Sequence, residues 1–149
     1  MEEERLIASM REFNRFYARV LGAFDQYALG TSYSLAQARI LGELGRNRGC
    51  TANSMAVYLD MDRSYVARIV ASFEKNGLLE KRGTVEDSRK KCLWLTAEGE
   101  KLYQEFEEKS DEKIRNQLQG VDASKWSCLE QAMQQIHRIL SEADADGRH

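Results

Sequence analysis

Residues 51 to 95 leave this chain few ways to fold. Two short helical patterns, Thr51 to Leu59 and Asp62 to Gly77, are separated only by Asp60-Met61. A strand, a polar basic loop and a second strand follow at once: Leu78 to Arg82, Gly83 to Lys91, and Cys92 to Leu95. Two strands alone are marginal, so these must lie on the helices. In the second helical pattern Val66, Ile69, Val70 and Phe73 recur at helical spacing and make an apolar face. The other face carries Arg63, Ser64, Tyr65, Arg68 and Ser72, groups that touch phosphates and base edges. Asp62 is suited to cap the start of this helix, and Asn76-Gly77 to stop it. This order of elements reads as a winged helix-turn-helix and points to double-stranded DNA.

The rest of the chain is helical. Glu2 to about Leu29 has Leu6, Met10, Phe13, Tyr17, Val20, Leu21 and Phe24 at spacings of three and four. Gly30 to Ser34 reads as a turn, and Ser34 can cap a second helix, Leu35 to Gly45, with Ile40, Leu41 and Leu44 inward. Thr51 caps the third, with Met55, Ala56 and Leu59 inward. Thr96 caps a fifth helix to about Leu118, with Leu102, Phe106, Ile114 and Leu118 as its apolar positions. Asp122 or Ser124 caps the last, which runs to about Ser141 with Trp126, Leu129, Met133, Ile136 and Leu140 on one stripe. Ala143 to His149 reads as a frayed tail. The expected class is mainly α with a small β-wing: six helices and a two- to three-stranded antiparallel sheet. Residues 34–95 form the winged lobe within a single 149-residue unit, residues 1–30 and 97–142 the outer helices, and 143–149 the tail.

Composition narrows the partners. Hydrophobic residues at 42% and charged residues at 31% exclude a disordered or membrane protein. No apolar run spans a bilayer, and Met1-Glu-Glu-Glu4-Arg5 is no signal peptide, so the cytoplasm is the expected location. A net charge of −2 looks unsuited to DNA, but the charge is unevenly spread. Residues 1–61 are neutral, residues 62–97 carry eight Lys/Arg against five Asp/Glu, and residues 98–149 carry seven against twelve. The positive charge sits in the helix and loop already singled out, and the acidic remainder would orient the molecule on a phosphate surface. Cys50, Cys92 and Cys128 are odd in number and far apart, which fits free thiols in a reducing compartment. Cys92 and Cys128 read as small apolar fillers and Cys50, beside a polar turn, as the most exposed thiol. His137 and His149 are the only histidines, so no metal site and no cofactor are expected.

Across residues 35–102 these features assemble into a known pattern. Gln37-Ala-Arg-Ile-Leu41, Met55-Ala56 with Leu59, Asp62-Arg63-Ser64 with Val66 and Arg68-Ile69, Phe73-Glu-Lys-Asn-Gly-Leu78, Glu86-Asp87 with Arg89, and Leu95-Thr96 with Gly99 occur in order. The chain resembles the MarR (multiple-antibiotic-resistance regulator) family of dimeric winged-helix transcription regulators. Residues 11–44 look more specifically like the MarR-type half of proteins that also carry an acetyltransferase; the chain contains no such segment, so that activity is not carried over. Two departures are visible. Asp60 stands where the family usually has Gly, and Asp tolerates the left-handed backbone. The loop Gly83-Thr-Val-Glu-Asp-Ser-Arg89 lacks the Pro frequent there, so a less constrained tip is expected.

The resemblance and the residues together name the expected contacts. Arg63, Ser64 and Tyr65 would enter the major groove, as this motif docks. Arg68 would read a guanine edge or hold a phosphate. Thr51 and Ser54 are candidate phosphate donors. The resemblance implies that Arg89 reaches the minor groove from the wing tip, braced by Asp87. Lys90 and Lys91 would contact phosphates, adding affinity rather than specificity. It also implies that the first, fifth and sixth helices interlock in a homodimer, and that a small effector binds between them and the lobe. Tyr17, Tyr33 and Arg39 could line that pocket, although plain packing is the favoured reading of each.

The expected function is a ligand-responsive repressor that binds a pseudo-palindromic operator as a homodimer. The chain has no glycine-rich phosphate loop, nucleophile elbow, metal cluster or paired catalytic carboxylates, so an enzyme is not expected. Two rivals stand beside this reading. One is a winged-helix module used only for protein contacts, against which the basic loop argues. The other is a thiol-based redox regulator, although the family's peroxide sensors use a cysteine near the start of the first helix, and this first helix has none.

Overall fold

The computed structural model describes residues 1–20, 31–87 and 89–147, with side chains through residue 143. Expectations for Leu21, Phe24 and Gly30 therefore lie outside the described residues. In chain order the elements are α1 (Glu2–Val20), α2 (Leu35–Arg46), α3 (Ala52–Leu59), α4 (Arg63–Lys75), β1 (Leu79–Arg82), β2 (Cys92–Leu95), α5 (Ala97–Leu118), a 3-10 turn (Ala123–Lys125) and α6 (Trp126–Gly147). Two compact units are distinguished, Met1–Asp111 and Glu112–His149. The core described next lies in the first.

Local chemistry sets the helix starts. The Ser34 side chain accepts from the Gln37 N–H while the Gln37 side chain accepts from Ser34 N–H, a reciprocal capping box. Thr51 and Ser54 make the same exchange at α3. The Asp62 carboxylate accepts from the Tyr65 N–H at 3.0 Å and caps α4. Thr96 Oγ1 accepts from Gly99 N–H to cap α5 and donates to the Gly77 carbonyl at 2.6 Å. Asp122 caps the 3-10 turn that leads into α6, accepting from Ser124 N–H.

The core joins α2 to α5 through the hairpin. Ile40, Leu41 and Leu44 meet Met55 and Ala56, then Val66, Ile69, Val70 and Phe73, then Leu79, Leu93 and Leu95. Tyr103 and Phe106 of α5 close it. Each large aliphatic or aromatic side chain fully buried here stabilises the lobe by about 1.5–3 kcal/mol. Tyr103 was not among the expected inward residues. It is buried because Gly45 leaves room for its ring; a Cβ at Gly45 would collide with that ring. Gly99 is needed for a similar reason, since a Cβ there would overlap the Leu78 carbonyl. Ile114, expected inward, is exposed.

β1 and β2 pair antiparallel with Leu79 opposite Leu95 and Arg82 opposite Cys92. The first strand begins one residue later than expected, because the Leu78 N–H bonds back to the Phe73 carbonyl and finishes α4 instead. A third segment borders the sheet without becoming a regular strand. Gly49 N–H donates to Leu93 O at 3.0 Å, and Leu93 N–H donates to Cys50 O at 2.8 Å. At the other end of the chain the expected frayed tail is corrected: α6 continues to Gly147. Residues 143–146 alternate Ala and Asp, and nothing before Gly147 stops a helix.

A candidate nucleic-acid interface

The turn between α3 and α4 aims the candidate reading helix. Asp60 adopts φ 53° and ψ 51°, the left-handed region expected for it, and is the only non-glycine with positive φ among the described residues. Its N–H bonds to the Val57 carbonyl, and the Met61 N–H bonds to Ala56 O at 2.9 Å. Burial of Val66, Ile69, Val70 and Phe73 then fixes the rotation of α4 about its axis. The opposite face, with Arg63, Ser64, Tyr65 and Arg68, is left in solvent. The first turn of a helix presents free N–H groups that favour anions, and these cations add to that field.

Arg63 and Arg68 have no ion-pair partner among the described residues, whereas several other cations of the lobe do. Arg46 pairs with Glu43 and Glu107, Arg48 with Glu100 at 2.8 Å, Lys81 with Glu74, and Arg82 with Glu80. Arg46 at the end of α2, and Arg48 just after it, thereby pair with carboxylates of α5. The Arg68 guanidinium instead lies over the Tyr65 ring, 5.7 Å from its centroid.

The wing loop is organised around Asp87. Thr84 N–H and Oγ1 both donate to the Asp87 carbonyl, Asp87 N–H donates to Thr84 Oγ1, and Lys90 N–H donates to Asp87 O. These bonds replace the constraint that the missing proline would give. Arg89 donates to Asp87 Oδ1 from its backbone N–H at 2.9 Å and from Nε at 3.3 Å. The brace expected from the resemblance is present, and the Arg89 side chain is still 90% exposed. Lys90 and Lys91 are exposed beside it.

Other expected sites fall differently. The Thr51 and Ser54 hydroxyls serve the α3 cap; Ser54 Oγ donates to Thr51 O at 3.0 Å, so its donor is occupied. Tyr17 is exposed on α1 with its ring 6.0 Å from that of Phe13. Tyr33 packs edge-on against Phe73 and Phe106. Arg39 donates to the Leu59 carbonyl at the end of α3. These are three separate contacts: ring packing for Tyr17 and Tyr33, and a hydrogen bond for Arg39. The cysteine expectations are corrected. Cys50 is buried, because its pairing with Leu93 carries its side chain into the core. Burial, and then the Glu43 carboxylate, push its thiol pKa up. Cys128 is exposed on α6, on the side away from the Trp126–Leu140 stripe. Cys92 is half-buried. Among the described residues, no group of His, Cys, Asp and Glu could hold a metal ion.

One pair escaped the sequence reading. Arg82 lies over the Trp94 ring at 5.2 Å at the base of the wing. The signal was the hairpin register, which sets Glu80 opposite Trp94 with Arg82 two residues on.

A sequence model of the MarR family matches residues 31–90, the stretch holding α2 to α4 and the hairpin's first strand. Over that stretch the chain is similar in sequence to the MarR family. The fold of MarR-type structures extends over nearly all of the chain. A MarR family protein of Bacillus stearothermophilus superposes with a TM-score of 0.78, covering 93% of this chain and 97% of that one at 21% identity. FabT of Streptococcus pneumoniae, solved in complex with DNA, gives 0.72 over 92% and 98% at 14% identity. A Listeria monocytogenes protein assigned to MarR family transcriptional regulators, complexed with 26mer DNA, gives 0.71 over 91% and 95% at 20% identity. Among curated proteins, one from Thauera aromatica, named for regulation of the hcr operon, is 29% identical over 93 residues. That match covers 62% of this chain, and the chain spans about half the length of the relative. The names of the Listeria and Thauera proteins assign them to transcriptional regulation.

Proposed function

We propose that this chain is a homodimeric, cytoplasmic regulator of transcription that binds a pseudo-palindromic operator and represses by occupying it. One observation carries the DNA reading: among the described residues the solvent face of α4 offers Arg63 and Arg68 without a carboxylate partner, while Arg46, Arg48 and Arg82 are paired within the lobe. A module built for protein contacts alone would have no reason to keep these two cations unpaired. Arg89, held by Asp87 yet exposed, supplies a second contact toward a minor groove, and Lys90 and Lys91 supply phosphate contacts. The two related structures that hold DNA support this assignment by analogy of fold.

The dimer is supported by apolar side chains left in solvent on both outer helices: Leu6, Met10, Phe13 and Tyr17 on α1, and Trp126, Met133, Ile136 and Leu140 on α6. Faces of this kind belong to large, core-like interfaces. A two-fold dimer presents two reading helices about one turn of DNA apart, roughly 10 bp, hence the dyad in the site. Regulation would be a population shift, in which an effector prefers a dimer whose reading helices are wrongly spaced. Tyr17, Tyr33 and Arg39 stay as the proposed effector contacts. No acetyl transfer is proposed.

Selection of bound duplexes from a random pool tests the proposal, with light scattering on the same protein. Dyad-symmetric sites and a dimer at micromolar concentration are expected. Selected sites without dyad symmetry, or a monomer, would overturn it.

A further inference from the structure

We infer that Tyr65 is a specificity-determining positioning residue: its ring holds the Arg68 guanidinium in one pose for base readout. The inference rests on α4 being the reading helix and names how its second cation is kept in place.

Tyr65 and Arg68 stand three residues apart, so they share a face of α4. A long helical side chain points back toward the N-terminus. Arg68 is therefore directed over Tyr65 and toward the end of α4 that enters a groove. The observed contact follows, with Arg68 Cζ 5.7 Å from the Tyr65 centroid. Tyr65 is itself held. Its N–H is bonded to the Asp62 cap, and its neighbour Val66 is fully buried. The ring is 40% exposed, enough to shield one side of the guanidinium while leaving its donors free.

The second arginine–aromatic pair isolates what is special here. Arg82 over Trp94 is also bonded to Glu80, so its charge and two of its donors are already satisfied. Arg68 has the ring but no carboxylate among the described residues. A stacked guanidinium keeps all five donors in a planar fork, the geometry that reads the O6 and N7 edge of guanine. Stacking also removes rotamer freedom before DNA arrives, so less is lost on binding.

The test is a mutant cycle on the full chain, with the selected operator as probe. Y65F should bind within about two-fold of wild type, because the ring is retained. Y65L should lose roughly two- to five-fold, the range of an exposed cation–π contact, and should relax preference at the same base pair as R68A. The double variant Y65L/R68A should be no weaker than R68A alone. Additive losses, or relaxation at a different base pair, would overturn the inference. So would Y65F as weak as Y65L, which would give the role to the hydroxyl. Thermal unfolding of each variant should match wild type, since both side chains are exposed; a Y65L loss of affinity that merely follows lost stability would also overturn it. Wild-type protein that fails to bind any duplex would instead defeat the broader DNA reading, and is distinguishable because it needs no variant.

Discussion

Between Ile40 and Leu95 the inward face of each helix is buried: Ile40, Leu44, Met55, Val66, Val70, Phe73 and Leu93 are essentially inaccessible. On α1 no residue is buried at all, and its large apolar side chains from Leu6 to Tyr17 are each 44% exposed or more. The apolar stripe of α6 is likewise open to solvent. Both regions show helical amphipathicity, yet only the lobe contains the surface that satisfies it. Periodicity reports that a face wants cover; it does not report whether the cover lies in the same chain.

The comparison can be broken most forcefully in the lobe. Phe73→Ala should cost about 3–5 kcal/mol, the range for emptying a well-packed aromatic site. Chemical denaturation should give that loss at any protein concentration. On the outer helices Ile136→Ala should cost about 2–3 kcal/mol in the associated state, but as a weaker dimer, so that the melting temperature falls more steeply on dilution than for wild type. A loss independent of concentration would mean that the α6 stripe is not an interface. Smaller again is an exposed reading residue. Arg63→Ala should weaken operator binding by ~1–3 kcal/mol if it makes a bidentate base contact, with unfolding unchanged. Asp62→Ala should remove the α4 cap at ~1 kcal/mol of stability, and a change below a few tenths would place the start of α4 under tertiary control alone.

The smallest effect concerns the thiols and separates the regions without changing either. Cys50 sits in the lobe core with its thiol pKa raised by burial and by Glu43, so little thiolate forms at neutral pH. Cys128 is exposed on α6. A neutral maleimide or disulfide reagent should label Cys128 first in the native protein and Cys50 only at the rate of unfolding. Prompt native labelling of Cys50 would show that the Gly49–Leu93 bridge opens.

Much of the site was readable because its chemistry is local. A cap needs its acceptor three residues from its donor, so Ser34, Thr51, Asp62 and Thr96 marked four helix starts in the sequence, and Asp60 marked the left-handed turn. The solvent face of α4 followed from the spacing of Val66, Ile69, Val70 and Phe73, since burying one side of a helix exposes the other. The Asp87 brace spans two residues and was likewise within reach once the resemblance pointed to it. Thr51 and Ser54 were placed on the right helix, where their hydroxyls form a reciprocal capping box.

What tertiary structure decided is every feature whose partner lies far along the chain. Cys50 looked exposed because its neighbours are polar; a strand 43 residues on took its backbone and turned its side chain inward. Tyr103 became core because Gly45 left a space. Arg46 and Arg48 were indistinguishable in sequence from Arg63 and Arg68, and only the fold brought Glu107 and Glu100 to them, whereas Arg82 finds Glu80 two residues away. By itself the sequence determined the helices, their caps, the turn and the face that α4 presents, because those depend on hydrogen bonds and periodicities within a few residues. Which cations stay unpaired for a ligand, and which thiol is shielded, depends on contacts between distant segments, and no local pattern encodes them.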